Sequence, residues 1–176
     1  MSEAQVVEVD GWIGGYKTFD SYQPAWQPVK GRGRDWQARW PLVDQNDIAS
    51  GFVVFEADAG FTEISISVIY RGSPVYRLDL CPPGQQHGNE FVARKYAPDL
   101  PRKFTGSHIH GWEDTRGWVK DHGLGEMPLR RPLENPPTDF DEAFEFVAKA
   151  VNITVQPGTR PVTLPPQRGL SLGKRR

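Results

Sequence analysis

Apolar and polar positions alternate most cleanly between residues 51 and 80, and this pattern predicts three consecutive strands. Gly51 to Asp58 and Phe61 to Tyr70 are β-branched and aromatic runs separated by Ala59-Gly60, the signature of a hairpin. In the second run Ile64, Ile66, Val68 and Tyr70 fall on one face and Ser65 and Ser67 on the other, as in an antiparallel sheet with one packed side and one wet side. Arg71-Gly-Ser-Pro74 then turns the chain into Val75 to Leu80. There Tyr76, Leu78 and Leu80 share one face and Arg77 and Asp79 share the other. A short strand near Phe91 to Tyr96 and another through His108 to His110 complete the β inventory. The period changes after Pro136-Pro137: Phe140, Phe144, Val147 and Val151 recur as one helical stripe, with Thr138 or Asp139 as cap and Asp141 and Glu142 in the first turn. That helix should end near Asn152 and pack on the apolar face of the sheet. The expected class is α+β, a mostly antiparallel sheet of about five strands with one C-terminal amphipathic helix packed on it.

Outside these runs the period fails. Residues 1–41 hold Trp12, Tyr16, Phe19, Tyr22, Trp26, Trp36 and Trp40 among glycines and prolines, too aromatic for a disordered segment, and read as an irregular arm with one or two short strands. Residues 113–137 show no period and hold Gly117, Gly123, Gly125, Pro128 and Pro132, which reads as a long irregular connection. The organisation expected is an aromatic arm (1–41), a single α+β domain (42–153) and a Pro/Gly-rich basic tail (154–176).

Composition adds bounds. A chain of 176 residues is the size of one domain, and its 18 glycines and 16 prolines imply many turns. The one cysteine, Cys81, excludes an internal disulfide and reads as a small buried hydrophobe in a reducing compartment. No apolar run reaches membrane length, and Met1 to Val6 lacks the basic start of a signal peptide, so a soluble cytoplasmic chain without membrane contact is expected. A formal net charge of -1 argues against a strongly electrostatic nucleic-acid binder. Basic blocks exist all the same, in Lys30, Arg32, Arg34 and Arg39, and across residues 94–131.

The histidines carry the candidate chemistry. All four, His87, His108, His110 and His122, fall between positions 87 and 122. On a strand, His108 and His110 point to one face and Ile109 to the other. If that strand neighbours the one carrying Arg77 and Asp79, these four polar side chains meet, with His87 on the loop between. Two chemistries suit such a cluster. Without a metal, neutral and protonated imidazoles serve as base and acid in RNA cleavage, the RNA supplying its own 2′-hydroxyl, with a guanidinium to stabilise the phosphorane. His108, His110 and His87 would then be the acid and base candidates and Arg77 the anion stabiliser. Asp79, Arg116, Trp112 and Lys120 are the substrate-binding candidates. With a divalent transition metal, His108, His110 and His87 become ligands, and Asp79, Glu113 and His122 can complete the set. The spacing of Glu113 from His110 does not fit the cupin motif, and paired cysteines, a Gly-rich phosphate loop and an HExxH helix are absent from the sequence. A non-catalytic interaction protein, with the aromatic arm and acidic helix as interfaces, is the reading from another class.

The succession Tyr76-Arg-Leu-Asp79, His87-Gly-Asn89, Gly106-Ser-His-Ile-His110, Gly117-Trp118, Pro128-Leu129 and the helix up to Asn152-Ile153 resembles small uncharacterised phage and prophage proteins. It departs from them in Ser107, where proline is usual, in Thr115-Arg116-Gly117 before Trp118, and in the long N-terminal extension. The Tyr-Arg-x-Asp, His and His-x-His order is also similar, more loosely, to TumE-like toxins of toxin-antitoxin pairs. The likeness to RNA-acting toxins favours the ribonuclease reading; taken with the histidine chemistry, the expectation is a phage- or defence-associated protein that cleaves RNA without a cofactor, the alternative being one that meets a protein partner such as an antitoxin or a host defence complex.

Overall fold

Strands β3 (Trp36–Val43), β4 (Ala49–Ala57), β5 (Ile64–Tyr70) and β6 (Ser73–Leu80) form an antiparallel meander at the centre of a nine-stranded sheet. The structure, a computed structural model, describes residues 3–21, 24–29, 36–58 and 60–156. The remaining elements are α1 (Glu3–Gly14), β1 (Lys17–Phe19), β2 (Gln27–Pro28), β7 (Gln86–Gly88), a 3-10 turn (Ala93–Tyr96), β8 (Lys103–Thr105), β9 (His108–His110), α2 (Trp112–His122), β10 (Arg131–Pro132), α3 (Phe140–Ala150) and β11 (Ile153–Thr154). The sheet runs β10-β9-β6-β5-β4-β3-β1-β11, with β2 on β3, and every pairing is antiparallel except that of β1 with β11. Among the described residues, strands β7 and β8 pair only with each other. The fold is therefore α+β with a mostly antiparallel sheet, as the alternation implies, but with more strands than about five and, among the described residues, three helices.

One sheet face is the expected apolar one. Cross-strand register lines up Ala38, Phe55, Ile66, Leu78 and Ile109 in one row and Trp40, Val53, Val68 and Tyr76 in the next. Helix α3 covers this face. Phe144 stacks with Phe55, Phe19 and Trp40, and Phe140 meets Phe55 in a tilted pair, contacts that bury much area per residue. The helix starts where the sequence places it. Asp139 accepts from the backbone N–H of Glu142, and the Glu142 carboxylate accepts from the N–H and hydroxyl of Thr138, a reciprocal cap.

The other face is not wet at the β5–β6–β9 end. Ser65, Ser67 and Asp79 are buried with His108 and His110. A polar face buries itself only when its groups satisfy one another, and that is the arrangement here.

Residues 1–41, expected to be irregular, carry α1, β1, β2 and the start of β3. Nothing of period marks α1 because it is apolar on more than one side: Val6 and Val9 are buried, and Trp12 stacks on Tyr70 with ring centroids 4.6 Å apart. The stretch after Gly111, expected to be loop, opens with the eleven residues of α2. Its pattern is obscured by Gly117, whose missing side chain makes room for Tyr96; a Cβ there would sit 3.0 Å from the Tyr96 ring. Phe91 to Tyr96, expected to be a strand, forms a turn and the 3-10 segment instead. Ala93 and Ala97 seat this segment in a small core with Leu100 and Leu129. Tyr22, Lys30, Arg32 and Arg34 of the expected arm, and residues 157–176 of the expected tail (154–176), lie outside the described residues.

Candidate metal centre

Two rows of the polar face converge on one carboxylate. Register places Ser65 beside Asp79 and Asp79 beside His108; in the next row Ser67 lies beside Arg77 and Arg77 beside His110. Because β9 adds to β6 in sequence-distant order, the chain between them, residues 81–107, is free to fold as a separate hairpin. That hairpin, β7–β8, brings His87 onto His108, with ring centroids 4.4 Å apart, and Phe104 against both rings. The convergence expected from sequence, Arg77, Asp79, His108, His110 and His87, is thus what the structure holds.

The two Asp79 oxygens have different partners. Oδ1 accepts from Arg77 Nε at 2.9 Å, from Arg77 Nη2 at 2.8 Å and from the Ser65 hydroxyl, which in turn accepts from Arg77 Nη2 at 3.2 Å. Oδ2 faces the two imidazoles, with His108 Nε2 and His110 Nε2 each 3.4 Å away. Asp79 is 4%, His108 2% and His110 7% exposed, so solvent does little to relieve this arrangement.

Tautomers follow from the far side of each ring. His110 Nδ1 is 2.5 Å from the Met127 carbonyl oxygen, and His108 Nδ1 is 3.3 Å from that of Gly106. A carbonyl only accepts, so each Nδ1 carries a proton and, in a neutral ring, each Nε2 presents a lone pair. Three electron-pair donors therefore face one point: Asp79 Oδ2 and two Nε2 atoms, all within 4.8 Å of one another. Such a set repels itself unless a cation lies among its members, either protons on the rings or a metal ion.

Electrostatics disfavour the protons at His108. Burial pushes its imidazole down to about 4, against the pull of the Asp79 charge and the Gly106 carbonyl. Burial also lowers His87, with Arg130 adding to the effect. For Asp79 burial acts the other way, but a hydrogen bond from His110, which needs a proton on its Nε2, the Arg77 guanidinium and the Ser65 hydroxyl outweigh it and hold the carboxyl below the usual carboxylate range. The carboxylate is charged and His108 is neutral at neutral pH.

The two carboxylate–imidazole distances also fit an ion. A charge-assisted N–H to carboxylate hydrogen bond is about 2.7–2.9 Å. An N–O edge of a tetrahedron with bonds of about 2.1 Å is about 3.4 Å, the length of both Asp79–histidine contacts. Histidine ligands held through Nδ1–H by a backbone carbonyl, and a carboxylate held by Arg and Ser through its other oxygen, are the outer-shell supports metal sites need.

Loops fix these supports. Gly106 adopts φ +83, a left-handed turn between β8 and β9 that places its carbonyl under His108. Buried Asn89 donates to the carbonyls of Pro101 and Arg130 and accepts from the Arg130 N–H. It ties the loop after β7 to the segment that carries Met127.

Other sequence candidates are elsewhere. Arg116 pairs with Asp10 through Nε and Nη2, Trp112 Nε1 donates to the same carboxylate at 2.7 Å, and Lys120 pairs with Glu3. These three candidates for substrate contact instead fasten α1 to α2, because α2 presents them to the acidic side of a helix the sequence pattern did not reveal. His122 stacks on Trp118 with centroids 3.8 Å apart, and its Nδ1 meets the Trp118 carbonyl, away from the cluster. Glu113, on α2, is exposed.

Ser65 was expected on a wet face, and Cys81 as an inert core thiol. The signal for both is the period of two: Cys81 follows Asp79 by two residues, and Ser65 lies across from it.

No family model matches the chain, and no curated protein or solved structure is similar to it at a significant level. Among the described residues no helix is long and apolar enough to cross a membrane.

Proposed function

We propose that this chain is a metal-dependent hydrolase whose ion is held by Asp79, His108 and His110. The observation that carries the reading is the meeting of three lone-pair donors on one buried point, with both imidazole Nδ1 atoms committed to backbone carbonyls. A divalent transition ion bound there would supply Lewis acidity and an activated water. Arg77 and Ser65 hold the carboxylate so that one oxygen faces the ion. Two histidines and one carboxylate leave positions open for substrate, which a purely structural site would fill. His87 lines an open surface depression of about 400 Å³ together with Gln86, Asn89, Glu90, Arg102 and Lys103. Two cations against the one carboxylate of Glu90 favour an anionic substrate there, and RNA, suggested by the clustered histidines of the sequence, fits that class.

Ring orientation favours the metal over unassisted acid–base cleavage of RNA. An imidazole that shuttles protons must present a ring nitrogen to the 2′-hydroxyl and the leaving oxygen, whereas His108 and His110 turn Nε2 to Asp79 and Nδ1 to backbone carbonyls. Elemental analysis of the purified protein tests the proposal. One equivalent of a transition metal, lost in Asp79→Asn and in His110→Ala, is expected, with any RNA cleavage abolished by EDTA. Metal-free protein that binds no added zinc would overturn it, and cleavage that survives chelation but fails in His108→Ala would restore the metal-independent mechanism.

A further inference from the structure

His108 belongs to a second convergent set. Cys81, His87 and His108 each offer a ligand atom, and these atoms also lie within 4.8 Å of one another. Cys81 directly follows β6, two residues beyond Asp79, and its backbone is clamped to the neighbour of His108: its N–H donates to the Ser107 hydroxyl at 3.1 Å, and that hydroxyl lies 3.3 Å from its carbonyl oxygen. His87 is carried by the hairpin on the other side, and its Nε2 is enclosed without a hydrogen-bond partner among the described residues. An enclosed ring nitrogen with no partner costs free energy that a ligand would recover.

We infer that Cys81, His87 and His108 form a second, outer metal site for a soft, thiolate-preferring cation, sharing His108 with the inner Asp79–His108–His110 set. The inference deepens the metal-centre reading. The two sets differ in chemistry: oxygen and two imidazoles inside, sulfur and two imidazoles outside, and thiolate ligands select softer ions. They also differ in position. Asp79, His108 and His110 are buried, whereas Cys81 and His87 are half-buried, so the outer set lies between solvent and the inner one. The ligand atoms of the outer set lie within 4.8 Å of one another, and Zn–N and Zn–S bond lengths set tetrahedral edges of about 3.4–3.6 Å. On coordination the thiol releases its proton to solvent and the sulfur binds as thiolate. Sharing one imidazole makes the two sites compete, so a soft ion at the outer site weakens the inner one.

Cadmium(II), soft and without visible bands of its own, is the probe. Titration of the metal-free full chain should give near-ultraviolet sulfur-to-cadmium charge-transfer absorption that saturates at one equivalent. The band should vanish in Cys81→Ser, weaken at least tenfold in affinity in His87→Gln, and persist in Asp79→Asn. No band in the wild type, or a band of equal affinity in His87→Gln, overturns the inference. Zinc binding lost in Asp79→Asn but kept in Cys81→Ser and His87→Gln reports on the inner site alone, so the two readings fail separately. His87 is on a peripheral hairpin, and circular dichroism of His87→Gln checks that the fold survives.

Discussion

Ser65 and Arg77 touch only one oxygen of Asp79, yet they decide what the other oxygen can do. By saturating Oδ1 with donors they keep the carboxylate charged and point Oδ2 at the two imidazoles. Outer-shell partners of this kind change metal affinity by about 10–100-fold. Ser65→Ala, which deletes one donor, should lower zinc affinity within that range, as read by competition with a chromophoric chelator, while the thermal midpoint of the metal-free protein changes little. His108 sets the acid limit of the metal-free fold. Its folded pKa, down to about 4, lies below the value of about 6.5 of an unfolded histidine. Between those values the unfolded chain binds the proton and the folded one does not, so stability falls as pH drops from 6.5 toward 4 and is complete above that window. The loss is up to about 3 kcal/mol at about 1.4 kcal/mol per pH unit. Urea titrations of chelator-treated protein at pH 7.5 and 4.5 measure it, and His108→Asn, which does not titrate, should flatten the difference.

At the scale of elements, the surprise is how the first helix ends. The Lys17 ammonium is buried and donates to the carbonyls of Trp12 at 2.6 Å, Ile13 at 3.0 Å and Gly15 at 2.8 Å, a cationic cap on the C-terminal end of α1. Burial alone pushes its pKa down to about 8, and the three carbonyls work in favour of the charged form. Asn152 adds donors to the Gly14 and Gly15 carbonyls, so the end of α1 is satisfied by residues at both ends of the described chain. Lys17→Met keeps the length of the side chain and strands those carbonyls. The expected cost is about 2–3 kcal/mol, near the penalty for leaving buried acceptors unsatisfied, measured as a shift of the urea midpoint at unchanged slope. The helices also show what periodicity misses. α3 reads plainly because one face meets the sheet and the other meets water. α1 and α2 also bury one face and expose the other, but their residues blur it: Val7 is exposed on α1, Thr115 lies in the buried stripe of α2, and α2 yields a helix position to glycine so that Tyr96 fits.

For the whole molecule, α1 and α2 join the N-terminal stretch to the domain that carries the candidate centre. Asp10 is the joint, accepting from the Trp112 indole and the Arg116 guanidinium. Asp10→Ala should cost about 1–2 kcal/mol, chiefly from the buried indole N–H left without a partner, since the exposed Arg116 pair contributes little. Zinc affinity should be unchanged, which chelator competition on the folded variant would verify. Much of the centre was legible in the chain itself. The period of two put Arg77 with Asp79 and His108 with His110, and the alternation of residues 51–80 set the meander and its apolar face, because strand geometry is local and leaves no choice of side. What local pattern could not reach was the pairing of β9 with β6 across the intervening hairpin, a matter of long-range register. That pairing alone turned two polar faces into one buried site. It enclosed the serines expected to face water, gave Cys81 two imidazole neighbours, and left Arg116, Trp112 and Lys120 to bind a helix, since a side chain's partner is set by what the distant chain brings to it.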